Sequence, residues 1–301
     1  DGEIPFNEAG SLNFLRVFTD DKELKFDADG NVIREFEIIG NGNEMRPSQV
    51  EVARWQSQDL IDVSGYYNTP FQFYFTRGTH KIRFESIREP MTIGGIKLYQ
   101  SSKVKSYSEI SWEYNASGYL NTTGKKLKIQ GETAVFKSDS MIYPIADYSS
   151  PATEPSIPGK TMLNTIGKNK WQTNLQWIEW EFYVPETGLY KLGIKARQDV
   201  ENGQPSYRRL YIDGKIPFKE AENIKIPFST QWQMIIPGGE NDPHLFYFEK
   251  GIKHIIRLEV TLGELSPILL DIKSLVDEYT AIYREILMIV GPSPDMNRDY
   301  G

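Results

Sequence analysis

Residues 177–184 read Trp-Ile-Glu-Trp-Glu-Phe-Tyr-Val. Apolar side chains at the even-numbered positions alternate with Trp, Glu, Glu and Tyr at the odd-numbered ones, which is the period of a strand with two unlike faces. The Pro-Glu-Thr-Gly sequence at residues 185–188 is a turn signal, and residues 190–196 are predicted to form the next strand. Further short alternating stretches occur along the chain, separated by Gly and Pro. This pattern predicts an all-β protein built as β-sandwiches.

Two parts of the chain resemble each other, which predicts two tandem copies of one module. Asp-Gly-Glu-Ile-Pro-Phe at residues 1–6 returns as Asp-Gly-Lys-Ile-Pro-Phe at residues 213–218. Residues 73–85 share with residues 246–259 a Phe-Tyr-Phe triplet, a Gly, a His and an Ile-Arg pair. The two copies therefore match at both of these blocks.

The first module is predicted at residues 1–100, with a long insertion at residues 12–54. We infer the insertion because Trp55 lies much farther along the chain from the shared turn than its counterpart Trp232 does. Within the insertion, Asp-Ala-Asp-Gly-Asn at residues 27–31 is typical of a hairpin tip, and we favour that interpretation over a calcium loop.

The second copy has a strand, residues 208–212, before its Asp-Gly turn, whereas the first copy begins at the turn. We therefore expect the opening strands of the first module to be missing, and the chain to be a fragment of a longer protein. The other predicted segments are a linker at 101–126 with one helical turn near 107–114, the second module at 127–291, closing strands at 96–99 and 286–289, and a tail at 292–301.

One helix is predicted inside the second module, at about residues 267–283. Ile268, Ile272, Leu275, Tyr279 and Ile282 recur there at helical spacing, with charged residues between them. The expected fold is thus two β-sandwiches with one helical insertion near the C-terminus.

Composition excludes several classes of function. The chain has 301 residues, a net charge of -7 and no Cys. Without a stripe of Lys and Arg it lacks the charge that binding a phosphate backbone requires, so nucleic acid is excluded as a partner. The longest purely apolar stretch, residues 286–290, is too short to cross a bilayer. The absence of Cys excludes disulfide frameworks and thiolate zinc sites.

No motif for catalysis is present, and we expect the protein not to be an enzyme. The chain has no phosphate-binding loop, no Gly-x-Ser-x-Gly elbow and no His-Glu-x-x-His pair. His80 and His254 hold equivalent places in the two repeats, which favours a structural role. Glu179 and Glu181 lie on one strand face, and we interpret them as solvated side chains rather than as a glycosidase pair.

The aromatic residues leave two interpretations open. Trp171, Trp177, Tyr207 and Trp232 are predicted at strand ends or in loops, where a ring can stack on a sugar while amides such as that of Asn169 bond its hydroxyls. Alternatively they fill the core of large β-sandwiches. The recurrence of Trp232 as Trp55 favours packing for that pair, and Trp171, flanked by polar residues, is the preferred ligand contact.

Several stretches carry a resemblance to known families. Residues 177–190, 211–215 and 248–260 look like the galactose-binding jelly roll of carbohydrate-binding modules, and residues 129–134 fit the first strand of that module. The resemblance implies that Glu132, in this strand, is a candidate ligand of a structural calcium ion. No other cofactor is implied.

A more specific resemblance covers nearly the whole chain. Residues 46–50, 85–90, 209–218, 258–263 and 286–295 resemble the N-terminal region of large extracellular solute-binding proteins of carbohydrate-type ABC transporters in Gram-positive bacteria. It implies a non-catalytic, glycan-binding region of an extracellular, cell-surface lipoprotein that serves sugar uptake, with a downstream solute-binding domain and an ABC permease as partners. The alternatives are structural spacer modules that bind no sugar, and an accessory module of a secreted glycoside hydrolase.

Overall fold

The computed structural model describes residues 16–23, 25–33, 35–67, 69–85, 92–100, 103–294 and 297–299. The first-copy turn at residues 1–6, the motif end at residues 86–90 and part of the predicted tail lie outside these ranges. The described structure is rich in β-sheet and contains two α-helices of ten residues or more.

The helices are α1 (Tyr107–Ala116) and α2 (Leu265–Val290). The strands of the N-terminal part are β1 (Phe18–Asp20), β2 (Lys25–Phe26), β3 (Val32–Ile33), β4 (Ile38–Ile39), β5 (Asn43–Glu44) and β6 (Gln49–Glu51). Those that follow α1 are β7 (Phe136–Lys137), β8 (Pro144–Ile145), β9 (Thr165–Ile166), β10 (Trp177–Phe182), β11 (Gly188–Lys191), β12 (Ile194–Ala196), β13 (Ser206–Ile212), β14 (Ile224–Ile226), β15 (Gln233–Ile235), β16 (Leu245–Phe248) and β17 (His254–Thr261).

Seven of the described strands form one antiparallel sheet in the order β14-β13-β17-β10-β7-β1-β6. The central strand β10 pairs with β17 along its whole length, Trp180 opposite Ile256. Residues that face each other across an antiparallel ladder share a face of the sheet, so the alternation in residues 177–182 predicts which side chains lie together. The prediction of a strand at this position is confirmed over Trp177–Phe182, but both faces of the strand are buried.

The hydrophobic core lies on one face of this sheet. Ile178, Trp180 and Phe182 of β10 are buried there, and the pair β11–β16 covers them from the opposite side. The ring of Phe248, from β16, meets that of Phe182 edge to face at 5.2 Å. Two layers of strands with interdigitating apolar side chains are compatible with a β-sandwich.

The other face of the sheet is covered by residues 54–66, which come from the predicted first module. Asn174 Nδ2 donates to the carbonyl oxygen of Val63 at 2.9 Å. Gly65 has a φ of +79°, and a Cβ there would stand 2.9 Å from the Asn174 side chain. The positive φ and this close approach both favour glycine where the segment meets the loop before β10.

Strands from the predicted insertion extend the sheet across the predicted boundary between the modules. Phe18 of β1 pairs with Lys137 of β7, and β6 pairs with β1 at the sheet edge. The predicted hairpin tip is confirmed, since β2 pairs with β3 and Asp27 Oδ1 accepts from the amide of Asn31 at 2.8 Å. The tip is fixed to the sheet because Asn31 Oδ1 accepts from the amide of Tyr183.

The predicted linker contains α1, which is longer than the single turn expected and packs on the second module. Ser106 and Glu109 form a capping box at its start. The Tyr107 ring stacks on His244 at 4.0 Å, and its hydroxyl accepts from the amide of Leu245 at 2.9 Å. Residues 106–116 are therefore part of the folded unit.

Several predicted strands take another form. Residues 286–289, predicted as a closing strand, belong to α2, because they continue the helical period and a short apolar run does not by itself distinguish strand from helix. Residues 96–99, predicted as the closing strand of the first module, form no strand and are exposed, and the Tyr99 hydroxyl donates to Asp59 Oδ1. The predicted strand at 190–196 is divided at Gly193 into β11 and β12, which pair with different strands.

The predicted helix at 267–283 is present but extends over Leu265–Val290. Gly291, with a φ of +76°, ends it. In the described part of the chain, no helix combines the length and the apolar content that crossing a bilayer demands.

Candidate functional site

The second face of the sheet carries a buried charged cluster centred on Glu179. Arg54 Nη1 donates to Glu179 Oε2 at 2.7 Å, and Arg257 Nε donates to Glu179 Oε1 at 2.7 Å. The prediction that Glu179 is a solvated side chain is wrong, because residues 54–66 cover the strand face that the alternating pattern assigned to water. Glu181, two residues along, is not a freely solvated side chain either: its side chain is 10% exposed, and it pairs with the half-exposed Lys253 at 3.1 Å.

A second carboxylate on the same face is also buried. Arg209 Nη1 donates to Glu259 Oε1 at 3.2 Å, and the Tyr211 hydroxyl donates to the same oxygen at 3.3 Å. Burial raises the pKa of Glu259 although the neighbouring guanidinium groups oppose the shift. Burial next to this carboxylate raises the pKa of Tyr211 to about 12. These contacts join β13 to β17 on the covered face of the sheet.

Trp171, the preferred ligand contact, is half-buried and held on the edge of the core. Arg208 lies over its ring, with the guanidinium carbon 4.1 Å from the ring centroid, and Gly167 packs against the same indole. Its Nε1 donates to the carbonyl oxygen of Gln176 at 3.2 Å. Asn169 is exposed in the short turn before it. These neighbours fix the orientation of the Trp171 ring, and its indole N–H is already bonded within the protein.

Arg208 is itself unusual because it is buried and its described hydrogen bonds go to carbonyl oxygens. Nη1 donates to Tyr207 O at 2.8 Å and Nη2 donates to Trp171 O at 3.0 Å. Burial lowers the pKa of Arg208 to about 10. The role of this side chain in the structure is to fix the loop that carries Trp171.

Trp177 and Tyr207, both predicted to contact a ligand, are buried. Trp177 is 1% exposed, with Arg257 4.1 Å from its ring centroid, and Tyr207 is 3% exposed. The Tyr207 hydroxyl donates to Glu264 Oε2 at 2.8 Å. Direct stacking of a sugar on either ring does not fit this burial, because both lie on strands whose faces are covered.

Trp232 is half-buried and lies in a polar cluster at the pair β12–β15. The register pairs Ala196 with Gln233, which places Arg197 across from Trp232. The guanidinium carbon of Arg197 is 5.0 Å from the ring centroid, and Lys195 Nζ is 5.7 Å from it. Both cations stand within reach of a cation–π interaction with the indole.

Two acidic side chains hold the Arg197 guanidinium that lies beside this indole. Arg197 Nη2 donates to Asp147 Oδ2 at 2.6 Å, and its Nε pairs with Asp199 at 3.1 Å. Tyr148, next to Asp147 in the chain, is 68% exposed. Burial alone would raise the pKa of Asp147, but hydrogen bonds from Ser149 and Arg197 outweigh it and hold that pKa below its ordinary value.

One buried polar atom in this cluster has no hydrogen-bond partner among the described residues. Trp232 Nε1 is shielded from solvent and has no acceptor among the described residues. A buried donor without a partner costs about 1–3 kcal/mol, so a water or a ligand oxygen that accepted from it would stabilise the cluster.

Glu132, the candidate calcium ligand, is buried in a short 3₁₀ turn at residues 131–133. In the ranges that the structure describes, no group of three or more His, Cys, Asp or Glu side chains is arranged to hold a metal ion. Calcium binding at Glu132 remains a prediction from the resemblance alone.

The sequence did not reveal all parts of the Trp232 cluster. Arg197 and Asp147 are distant from Trp232 in the chain. The pairing of β12 with β15 brings Arg197 to the indole, and the loop before β9 brings Asp147 to Arg197. Trp112, on α1 and 71% exposed, was also not singled out. It was missed because its segment was interpreted as a linker, so an exposed ring on a helix was not expected there.

Comparison with known proteins leaves the family open. No family model matches the chain, and no curated protein matches it. Among solved structures, one that is similar in part is a ruminal GH26 endo-β-1,4-mannanase, at 17% identity and a TM-score of 0.29, over 48% of this chain and 25% of that chain. The chain thus spans about a quarter of that enzyme, and a TM-score this low establishes neither a common fold nor a common function.

Proposed function

We propose that the protein is a non-catalytic glycan-binding region and that Trp232 is its stacking platform. The observation that supports this most directly is the indole beside Arg197, with the guanidinium held by Asp147 and Asp199. Sugars are bound where an aromatic surface lies next to fixed charged donors and acceptors that can bond neighbouring hydroxyls. Tyr148, the chain neighbour of Asp147, is 68% exposed and is a candidate for a second ring contact.

The wider setting is also part of the proposal. The resemblance described above supports a galactose-binding jelly roll, in tandem, within an extracellular solute-binding lipoprotein of a Gram-positive bacterium. In that setting the bound glycan is delivered to a downstream solute-binding domain and an ABC permease. These assignments are supported by sequence motifs and are compatible with a sheet-rich fold.

A second candidate function is that of a structural spacer. It is favoured by the burial of Trp177 and Tyr207 and by the fixed position of Trp171, which makes three of the predicted contacts part of the packing. In that case the Trp232 cluster serves only to fix the loop at residues 147–152 to β12, through Arg197 and through Lys195 Nζ, which donates to Ala152 O.

A glycan array followed by titration calorimetry distinguishes the two functions. We expect the wild-type protein to bind at least one glycan class, and Trp232→Ala to weaken that binding by at least about tenfold, which corresponds to about 1.4 kcal/mol. Trp112→Ala is the matched control, since this Trp is more exposed but lies on α1. Binding by both variants at wild-type strength would exclude the Trp232 site.

Two further measurements complete the test. Repeating the titration after calcium is chelated tests the calcium prediction at Glu132 separately. Circular dichroism of Trp232→Ala must show that the fold is intact before a loss of binding is assigned to the site. If no plant, host or microbial glycan binds the folded wild-type protein, the spacer function replaces the proposal.

A further inference from the structure

Helix α2 leaves the β-sheet domain with its apolar face uncovered. It spans Leu265–Val290, about 39 Å at 1.5 Å per residue. Among its side chains only Ser266 is buried. Large apolar side chains along it are between 49% and 74% exposed: Ile268, Ile272, Leu275, Tyr279, Ile282, Ile286 and Ile289. A continuous exposed apolar stripe of this length marks an interaction surface.

These residues follow a strict heptad repeat. Apolar side chains occupy every a position, which are Leu265, Ile272, Tyr279 and Ile286. They also occupy every d position, which are Ile268, Leu275, Ile282 and Ile289. An unbroken a/d repeat through the whole helix is the pattern of a helix that packs along another helix.

The two edges of the stripe differ in character. The e positions, Leu269, Val276, Tyr283 and Val290, are apolar. The exposed g positions, Asp271, Glu278 and Glu285, are acidic. The stripe is therefore bordered by a row of carboxylates on one side only, which we call the acidic edge.

The acidic edge argues against a second copy of this chain as the partner. In an antiparallel pair of α2 helices the two acidic edges would face each other, and like charges repel. In a parallel pair the carboxylates would face the apolar e positions, where they would lose water without gaining a partner. An anionic membrane surface is also disfavoured as the partner, because the carboxylates that border the stripe would be repelled by anionic lipids. Lys273 and Arg284 are the basic residues of the helix.

We propose that α2 docks against a helix of a partner protein that carries its own apolar heptad stripe with Lys or Arg along the edge facing Asp271, Glu278 and Glu285. The apolar a, d and e positions supply the binding energy, and the acidic edge selects the partner and its orientation by charge complementarity. This surface is separate from the Trp232 cluster, and its role does not depend on glycan binding.

Two synthetic helical peptides of four heptads test the proposal. Both carry Ile and Leu at a and d, and they differ only in having Lys or Glu at the positions that meet the acidic edge. We expect the Lys peptide to bind the whole protein at least about fivefold more tightly than the Glu peptide at low salt, and this difference to shrink as salt is raised. Equal binding of the two peptides, or binding of neither, would overturn the proposal.

Variants of the protein locate the contact. Leu275→Asp, in the centre of the stripe, should abolish binding of the Lys peptide, whereas Ser274→Asp, on the adjacent outer position, should leave it unchanged. The triple variant Asp271→Lys, Glu278→Lys, Glu285→Lys should reverse the preference in favour of the Glu peptide. An unreversed preference, or a wild-type protein that sedimentation shows to dimerise through α2, would contradict the assignment.

Discussion

Replacing Glu179 by Gln should destabilise the protein because it removes the charge that holds two guanidinium groups in the covered face of the sheet. Removing one partner of a fully buried ion pair costs about 3–5 kcal/mol. The side chains of Arg54 and Arg257 are 31% and 19% exposed, so water screens part of this loss. We therefore expect a decrease of about 2–3 kcal/mol in the free energy of unfolding.

Glu181→Gln is the matched control. Glu181 lies on the same strand and the same face, and its side chain is 10% exposed. Its single partner, Lys253, is 46% exposed, so water screens the pair and its loss should cost no more than about 0.5 kcal/mol. Urea unfolding followed by tryptophan fluorescence and circular dichroism gives both values, and the predicted difference is about 1.5–2.5 kcal/mol.

The same variant tests the role of residues 54–66 as a cover. If the Arg54–Glu179 contact holds this segment on the sheet, limited proteolysis of Glu179→Gln should cut within it under conditions that leave Glu181→Gln intact. Equal stability losses in the two variants would show that the Glu179 cluster contributes no more than the Glu181–Lys253 pair. An unchanged proteolysis pattern would show that Arg54 and Glu179 do not hold residues 54–66 on the sheet. Either result would refute the prediction.

Two further predictions concern acid stability and glycine geometry. The folded pKa of Asp147 lies below its ordinary value of 3.8. The ionised Asp147 therefore stabilises the protein fully above pH 3.8, and this stabilisation is lost as the pH falls through the folded pKa. Asp147→Asn should be less stable at pH 7, and its free energy of unfolding should depend less on pH below about 4. Gly251→Ala should cost about 1–2 kcal/mol in urea unfolding, from its φ of +82° alone, because a Cβ there meets open space. Gly188→Ala should cost more, because its Cβ would stand 2.8 Å from the backbone oxygen of Leu120, and equal losses at the two positions would contradict this.

The sequence predicted features that depend on local pattern. The strand at residues 177–182, the hairpin tip at 27–31 and the existence of a helix near the C-terminus all follow from short-range periodicity or turn chemistry.

Features that depend on pairing between distant segments were not predictable in this way. Alternation in β10 identified two faces, but it could not show that residues 54–66 cover the polar one and bury Glu179. The Trp232 cluster depends on the register of β12 with β15, which brings Arg197 across from the indole. The burial of Trp177, on the same strand face as Glu179, was not predictable from alternation either.

The cover over the second face has a consequence for how the two sequence repeats can be separated. A chain shortened to begin after residue 100 would keep β7–β17 but would remove Arg54 from Glu179 and Val63 from Asn174. Equivalent residues of the two repeats also differ in their environment. Trp55 is 72% exposed, whereas Trp232 is half-buried beside Arg197. The described part of the first copy thus covers one face of the sheet that the second copy forms. The segment that must be present for this face to be buried is therefore longer than either repeat.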